Sequence, residues 1–244
     1  GYGDLIAGFG APWGSMVEAY GLDYNWALGA FIDYPPPPPQ VMMNPGFEEI
    51  WCCMNDWQNV ATGWYQWPVE NGSHFVAPTG DGIYGSTETF VPFEGDYSLK
   101  MWGLYSGAAS ANAYYQTFTG ESWNHPIFPP GPRMSVDGEI MSHADDWIGQ
   151  GINSAYLAFY YYDYDYNMTG PGWEISDVVG STNESSTWLN REVIGTVPEG
   201  TVSVWAGMEY YQNASDGGSI YLDGLHMEMG ELSGIDDNLP GQFK

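Results

Sequence analysis

The chain has 244 residues, room for one large β domain or two small ones, and its 31 Asp and Glu against 4 Lys and Arg leave a formal charge of −27. Such a surface repels nucleic-acid backbones and anionic membranes alike, so both are excluded as partners. With 17% aromatic residues, 33 Gly and 17 Pro, the composition also excludes a disordered acidic tail and predicts an all-β protein rich in turns.

Residues 1–34 differ from the rest of the chain. The opening GYGDLIAGFGAPWG is apolar and punctuated by glycine, without helical periodicity. Then Tyr20, Leu22, Tyr24, Trp26, Leu28, Ala30, Ile32 and Tyr34 fall on every second position, the clearest strand pattern in the chain. Fully extended at roughly 3.3 Å per residue, that run spans about 50 Å, longer than one compact domain ordinarily uses. Either a glycine such as Gly29 bends it or it reaches beyond its own domain. Pro35 to Pro39 come next, which predicts a stiff polyproline II spacer over residues 35–41.

From residue 42 to 230 the pattern is short alternating segments separated by turn clusters. Tyr97–Trp102, Ala113–Phe118, Arg133–Met141, Ala155–Tyr166, Thr201–Glu209 and Ser219–Met229 are the predicted strands. Regular strand and turn spacing over such a length indicates a β-sandwich or jelly roll. Residues 231–244 are polar and read as a linker. No run reaches transmembrane length. Gly1 in place of Met is expected to mark a processed N-terminus, and sequons at Asn71, Asn167, Asn183 and Asn213 predict a secreted, glycosylated chain. The cysteines, Cys52 and Cys53, are adjacent; a vicinal disulfide and two neighbouring thiols are both open readings.

Several short motifs run in a fixed order: Asn44-Pro45-Gly46-Phe47-Glu48, Gly63-Trp64, Gly95-Asp96-Tyr97-Ser98-Leu99-Lys100, Pro198-Glu199-Gly200-Thr201, and Tyr221-Leu222-Asp223-Gly224-Leu225. This order resembles the carbohydrate-binding-module jelly rolls of the family 4/9/22 type over residues 42–230. The resemblance implies a sandwich with Trp64 in its core. It also implies a structural Ca²⁺ on Glu48 and Asp223 with the backbone carbonyls of Gly46 and Lys100, where the alternative is two ordinary strand-end acids. Gly224 stands where the pattern has a second acid. The stretch GIDDNLPGQFK resembles the linker preceding a type A sorting domain of the bacterial type IX secretion system, without that domain's N-P-F-N-P core.

Catalysis finds no support in the sequence. Acids are so frequent that carboxylate pairs such as Asp163 and Asp165, or Asp145 and Asp146, arise by chance, and nothing selects one of them for glycoside hydrolysis. His74, His125, His143 and His226 stand alone, with no second histidine two or four residues away, and read as surface or packing residues rather than ligands or bases. The run Phe159 to Tyr166 is more informative. Alternation places Tyr160, Tyr162, Tyr164 and Tyr166 on one face, and Trp67, Tyr114 and Trp102 are candidates to extend it into a sugar-stacking platform; core packing and protein contact are the competing uses. Two functions are consistent with these patterns. The first is a non-catalytic extracellular structural protein that polymerises into filaments or layers, residues 20–34 of one copy adding to a sheet edge of the next. The second is a carbohydrate-binding module using the tyrosine row.

Overall fold

The structure is a computed structural model that describes residues 5–6, 14–15, 42–51, 60–68, 74–78, 89–103, 107–119 and 131–229. The chain divides into two compact units, Gly1–Pro38 and Pro39–Lys244. In the first, β1 (Leu5–Ile6) pairs antiparallel with β2 (Gly14–Ser15). The expected assembly arm, Tyr20, Leu22, Tyr24, Trp26, Leu28, Ile32 and Tyr34, lies outside the described residues. So do the proline spacer, the C-terminal linker, both cysteines and Asn71.

Among its described residues the second unit is all β, apart from two short 3₁₀ turns at Ala144–Asp146 and Ile148–Gln150. After a small hairpin of β3 (Ile50–Trp51) and β4 (Val60–Ala61) come β5 (Tyr65–Trp67), β6 (His74–Pro78), β7 (Tyr97–Trp102), β8 (Ser110–Thr119) and β9 (Arg133–Met141). They are followed by β10 (Ser154–Tyr162), β11 (Met168–Ile175), β12 (Leu189–Thr196), β13 (Ser203–Gln212) and β14 (Ser219–Met229). They form two five-stranded antiparallel sheets, in the orders β11-β10-β13-β8-β5 and β12-β9-β14-β7-β6. From β7 onward the chain crosses between the sheets at every step except β10 to β11. That is a β-sandwich jelly roll, one of the two forms the strand spacing predicts and the one the family resemblance implies.

The core lies between the sheets. Leu99, Met101, Val136, Ile140, Ile220 and Leu222 come from one; Phe118, Leu157, Phe159, Val204, Ala206 and Met208 come from the other. Alternation along each strand puts these residues on the inner face, where burying each of those larger than alanine contributes about 1.5–3 kcal/mol. Buried tyrosines bring a hydroxyl that needs a partner. Tyr210 donates to the Gly218 carbonyl at 2.8 Å, and the Tyr114 hydroxyl accepts the Ala61 N–H at 3.1 Å.

The motifs of the first and last strands meet at one corner. Asn44 Oδ1 accepts the Glu49 N–H at 2.9 Å and Asn44 Nδ2 donates to the Glu49 carbonyl at 2.8 Å, which closes the N-P-G-F-E turn. Phe47 thereby enters the core 5.1 Å from the Trp64 ring, and Trp64 Nε1 donates to the Asn44 carbonyl at 3.0 Å. The Leu225 N–H donates to the Pro45 carbonyl at 3.2 Å, tying the last strand to the first turn.

Candidate functional site

The outer face of the β11-β10-β13-β8-β5 sheet is a groove of about 330 Å³. Strand register explains its shape. The row Tyr65, Tyr115, Gly207, Ala158 runs across β5, β8, β13 and β10, and the next row on the same face is Thr117, Trp205, Tyr160, Trp173. Small residues therefore occupy the middle, with Ala111, Ala113, Ala158 and Gly207 lining the floor. Gly207 is required there: a Cβ would lie 2.1 Å from the Tyr114 carbonyl oxygen and 2.7 Å from the Tyr115 Cα, both backbone atoms.

Aromatic rings form the walls. Tyr115 stacks on Trp205 with centroids 4.2 Å apart and an interplanar angle of 8°; Tyr162 lies against Trp205 at 4.8 Å and 50°. Tyr65 continues the ladder 6.2 Å from Tyr115. Trp205 is thus flanked by a ring on each side, so its own faces are held within the wall. Trp67, on the edge strand β5, lines the groove and is 49% exposed, which leaves it the open tryptophan of the groove.

One carboxylate lines this apolar trough. Glu209 Oε1 accepts the Tyr156 hydroxyl at 2.7 Å, and Oε2 accepts the Tyr160 hydroxyl. Burial, together with the hydrogen bond and negative charge of Glu209, raises both phenols well above the usual tyrosine range. They remain neutral donors. Burial also raises Tyr115 and Tyr162, with neighbouring tyrosines adding for Tyr115 and Glu209 adding for Tyr162. Among the described residues no second carboxylate lines the groove beside Glu209, and two-carboxylate glycoside hydrolysis uses a pair.

The predicted platform is partly redrawn. Tyr160, Tyr162 and Trp67 share the groove. Tyr164 and Tyr166 do not, because β10 ends at Tyr162 rather than at Tyr166. There Asp163 Oδ1 accepts the N–H groups of Asp165 at 2.9 Å and Asn167 at 2.8 Å, while Tyr166 takes a φ of +61°. The chain turns into β11 and leaves Tyr164 and Tyr166 exposed on the turn. Tyr114 points inward from β8, fully buried and stacked on Trp64 at 5.5 Å; its neighbour Tyr115 is the residue that faces the groove. Trp102 sits on β7 of the opposite sheet beside Phe90, Met141 and Tyr221. Sequence reasoning missed Tyr65, Tyr115, Trp205, Glu209 and Trp173. Of the sequons, Asn167 is exposed with its amide on Asp163, Asn183 Oδ1 accepts the Gly180 N–H at 2.9 Å, and the Asn213 N–H donates to Asn153 at 2.8 Å.

The residues expected to hold Ca²⁺ do not fit one as they are arranged. Asp223 is fully buried, and its Oδ2 accepts the Phe93 N–H at 2.8 Å, the Glu94 N–H at 3.2 Å and the Ser98 hydroxyl at 2.9 Å. Its Oδ1 accepts the Gly224 N–H at 2.7 Å. Glu48 Oε1 accepts the N–H groups of Asp96 at 2.9 Å and Tyr97 at 3.0 Å. A carboxylate has about four acceptor sites, so the donors on Asp223 use the lone pairs a cation needs. The carbonyl of Lys100 is no better placed. Lys100 lies on a strand paired on both sides. Among the described residues no group of three or more His, Cys, Asp or Glu gathers elsewhere. Hydrogen bonds hold this corner. Burial pushes the Asp223 carboxyl up to about 6, its four donors pulling the other way.

This architecture defines a jelly-roll β-sandwich with an aromatic groove on one sheet. No protein-family profile matches the chain, and no curated protein matches it in sequence. Solved structures similar to it include TmCBM61 in complex with β-1,4-galactotriose, with 15% identity over 77% of this chain and 97% of that one, at a TM-score of 0.43. The CBM22-1 xylan-binding domain from Paenibacillus barcinonensis Xyn10C is also similar, with 12% identity over 79% and 96%, at 0.44. So is a Stig cyclase from Fischerella in complex with an indole compound, with 12% identity over 80% and 100%, at 0.48. One fold hosts many functions, so function is argued from the groove itself. Among the described residues no helix is long and apolar enough to cross a membrane.

Proposed function

We propose that this domain is a non-catalytic carbohydrate-binding module of a secreted protein, holding a glycan in the groove of the β11-β10-β13-β8-β5 sheet. One observation carries the reading: an open tryptophan face and a wall of tyrosines stand over a floor of alanine and glycine, beside a carboxylate held between two tyrosine hydroxyls. A pyranose has a C–H face and a rim of hydroxyls. Aromatic faces suit the first, and convergent acceptors and donors suit the second. Glu209 keeps acceptor sites beyond those its tyrosines use, and Tyr156 and Tyr160 can each accept a sugar hydroxyl.

This reverses the order of the two functions read from sequence, because the groove supplies a site for glycan while self-assembly rests on residues 20–34, outside the described residues. Calorimetric titration with xylo-, galacto- and gluco-oligosaccharides tests the reading. At least one neutral series is expected to bind, and Trp67→Ala, which removes a half-exposed ring, is expected to weaken that binding about tenfold. No heat from any oligosaccharide at millimolar concentration overturns it.

A further inference from the structure

We infer that the groove selects glycans bearing free amino groups, glucosamine units rather than their N-acetylated forms; this rests on the glycan-binding reading above. Glu209 places a negative charge at the wall of a trough otherwise lined by aromatic rings, two methionines and small residues. No Lys or Arg among the described residues offsets it within that sheet. Lys100, Arg133 and Arg191 lie on β7, β9 and β12 of the opposite sheet, and Lys244 lies outside the described residues. Lys100 is moreover engaged by Asp146, 3.7 Å away, and by the Tyr221 ring, whose centroid is 5.1 Å away.

Ligand chemistry is set by that arrangement. Tyr156 and Tyr160 each take one lone pair from Glu209, one on either oxygen, and leave the outer acceptor sites for a third donor. An ammonium brings three N–H donors and a full positive charge, which a hydroxyl or an acetamide does not. Aromatic faces attract the same charge through their quadrupoles, and the groove has Trp67, Tyr115, Tyr160 and Tyr162 within it. The chain's charge of −27 concentrates cations around it and turns away uronic-acid and sulfated glycans. Carboxylate, ring faces and long-range field all favour a cationic sugar.

The test titrates glucosamine oligomers and N-acetylglucosamine oligomers of equal length into the folded protein at about pH 6, below the usual range of an aliphatic α-amino group. A neutral xylo- or galacto-oligosaccharide is titrated alongside. The glucosamine oligomer is expected to bind about tenfold more tightly than its acetylated counterpart. Glu209→Gln, which keeps an acceptor for the tyrosines, is expected to bring the two within about twofold, and Glu209→Asp to retain most of the preference. Equal or tighter binding of the acetylated oligomer overturns the inference. So does a preference that survives in Glu209→Gln, since the amine is then held by the protein's general charge. Binding of a neutral oligosaccharide without amine preference leaves the glycan-binding reading standing, whereas no binding by any of the three overturns both.

Discussion

Asp223 is the residue whose chemistry the fold constrains most. Its carboxyl is raised by burial to about 6 from an ordinary 3.8, a shift worth about 3 kcal/mol. A raised carboxyl binds its proton more tightly in the folded state than in the unfolded chain. Its contribution to stability is therefore complete below about pH 4 and is lost as pH rises through about 6. The melting temperature is expected to fall between those values, and Asp223→Asn, which cannot titrate, to flatten that fall; an equal fall in both proteins contradicts the assignment. Because N–H and O–H donors already use the Asp223 oxygens, EDTA is expected to leave the melting temperature unchanged, and a drop of several degrees restores a bound Ca²⁺ to the corner. In the groove, Trp205 is held between Tyr115 and Tyr162, so Trp205→Ala removes both ring contacts, each worth about 0.5–1.5 kcal/mol beyond buried area. Lower stability and about tenfold weaker glycan binding are both expected, measured by denaturant titration and calorimetry.

At the scale of the strand, legibility tracked the clarity of alternation. Tyr97–Trp102, Arg133–Met141 and Ser219–Met229 are strands with the limits the sequence predicts. In β8 the inner face carries Asn112 and Gln116 together with Tyr114 and Phe118. Gln116 is buried because it pairs with the backbone of Met43 on both sides, and Asn112 because it donates to the Trp102 carbonyl at 3.0 Å. With amides inside and alanines outside, hydropathy does not tell the faces apart, and adjacent tyrosines exchange roles on a shift of one residue. The missed wall residues Tyr115 and Trp205 come from that ambiguity and from a groove assembled across four strands. The end of β10 was missed because Asp163 acts through its side chain on backbone two and four residues on, which period-two counting does not register. Element packing also sets a limit at Gly207, where β13 and β8 approach too closely for any side chain. Gly207→Ala is expected to cost about 1–3 kcal/mol, read as a lower denaturation midpoint, because backbone has to move. An unchanged midpoint contradicts so tight an approach.

On the scale of the whole molecule, the sandwich divides its labour between the two sheets. One outer face is the aromatic groove. The other carries polar residues, among them Asp137, Glu139, Glu192, His226 and Glu228, with His226 Nδ1 3.3 Å from Asp137. The sheets share one alternating pattern, and the residues at their outward positions distinguish the face that gathers Trp67, Tyr115, Trp205 and Tyr160 from the charged one. The measurement that addresses this most directly is an NMR titration of the isotopically labelled protein with the oligosaccharide that binds. Amide and indole signals of β5, β8, β10 and β13, including the indole N–H of Trp67 and Trp205, are expected to shift together and saturate with one affinity. Shifts confined to β9, β12 and β14, or to the turns, would place the ligand elsewhere and contradict the groove as the glycan site.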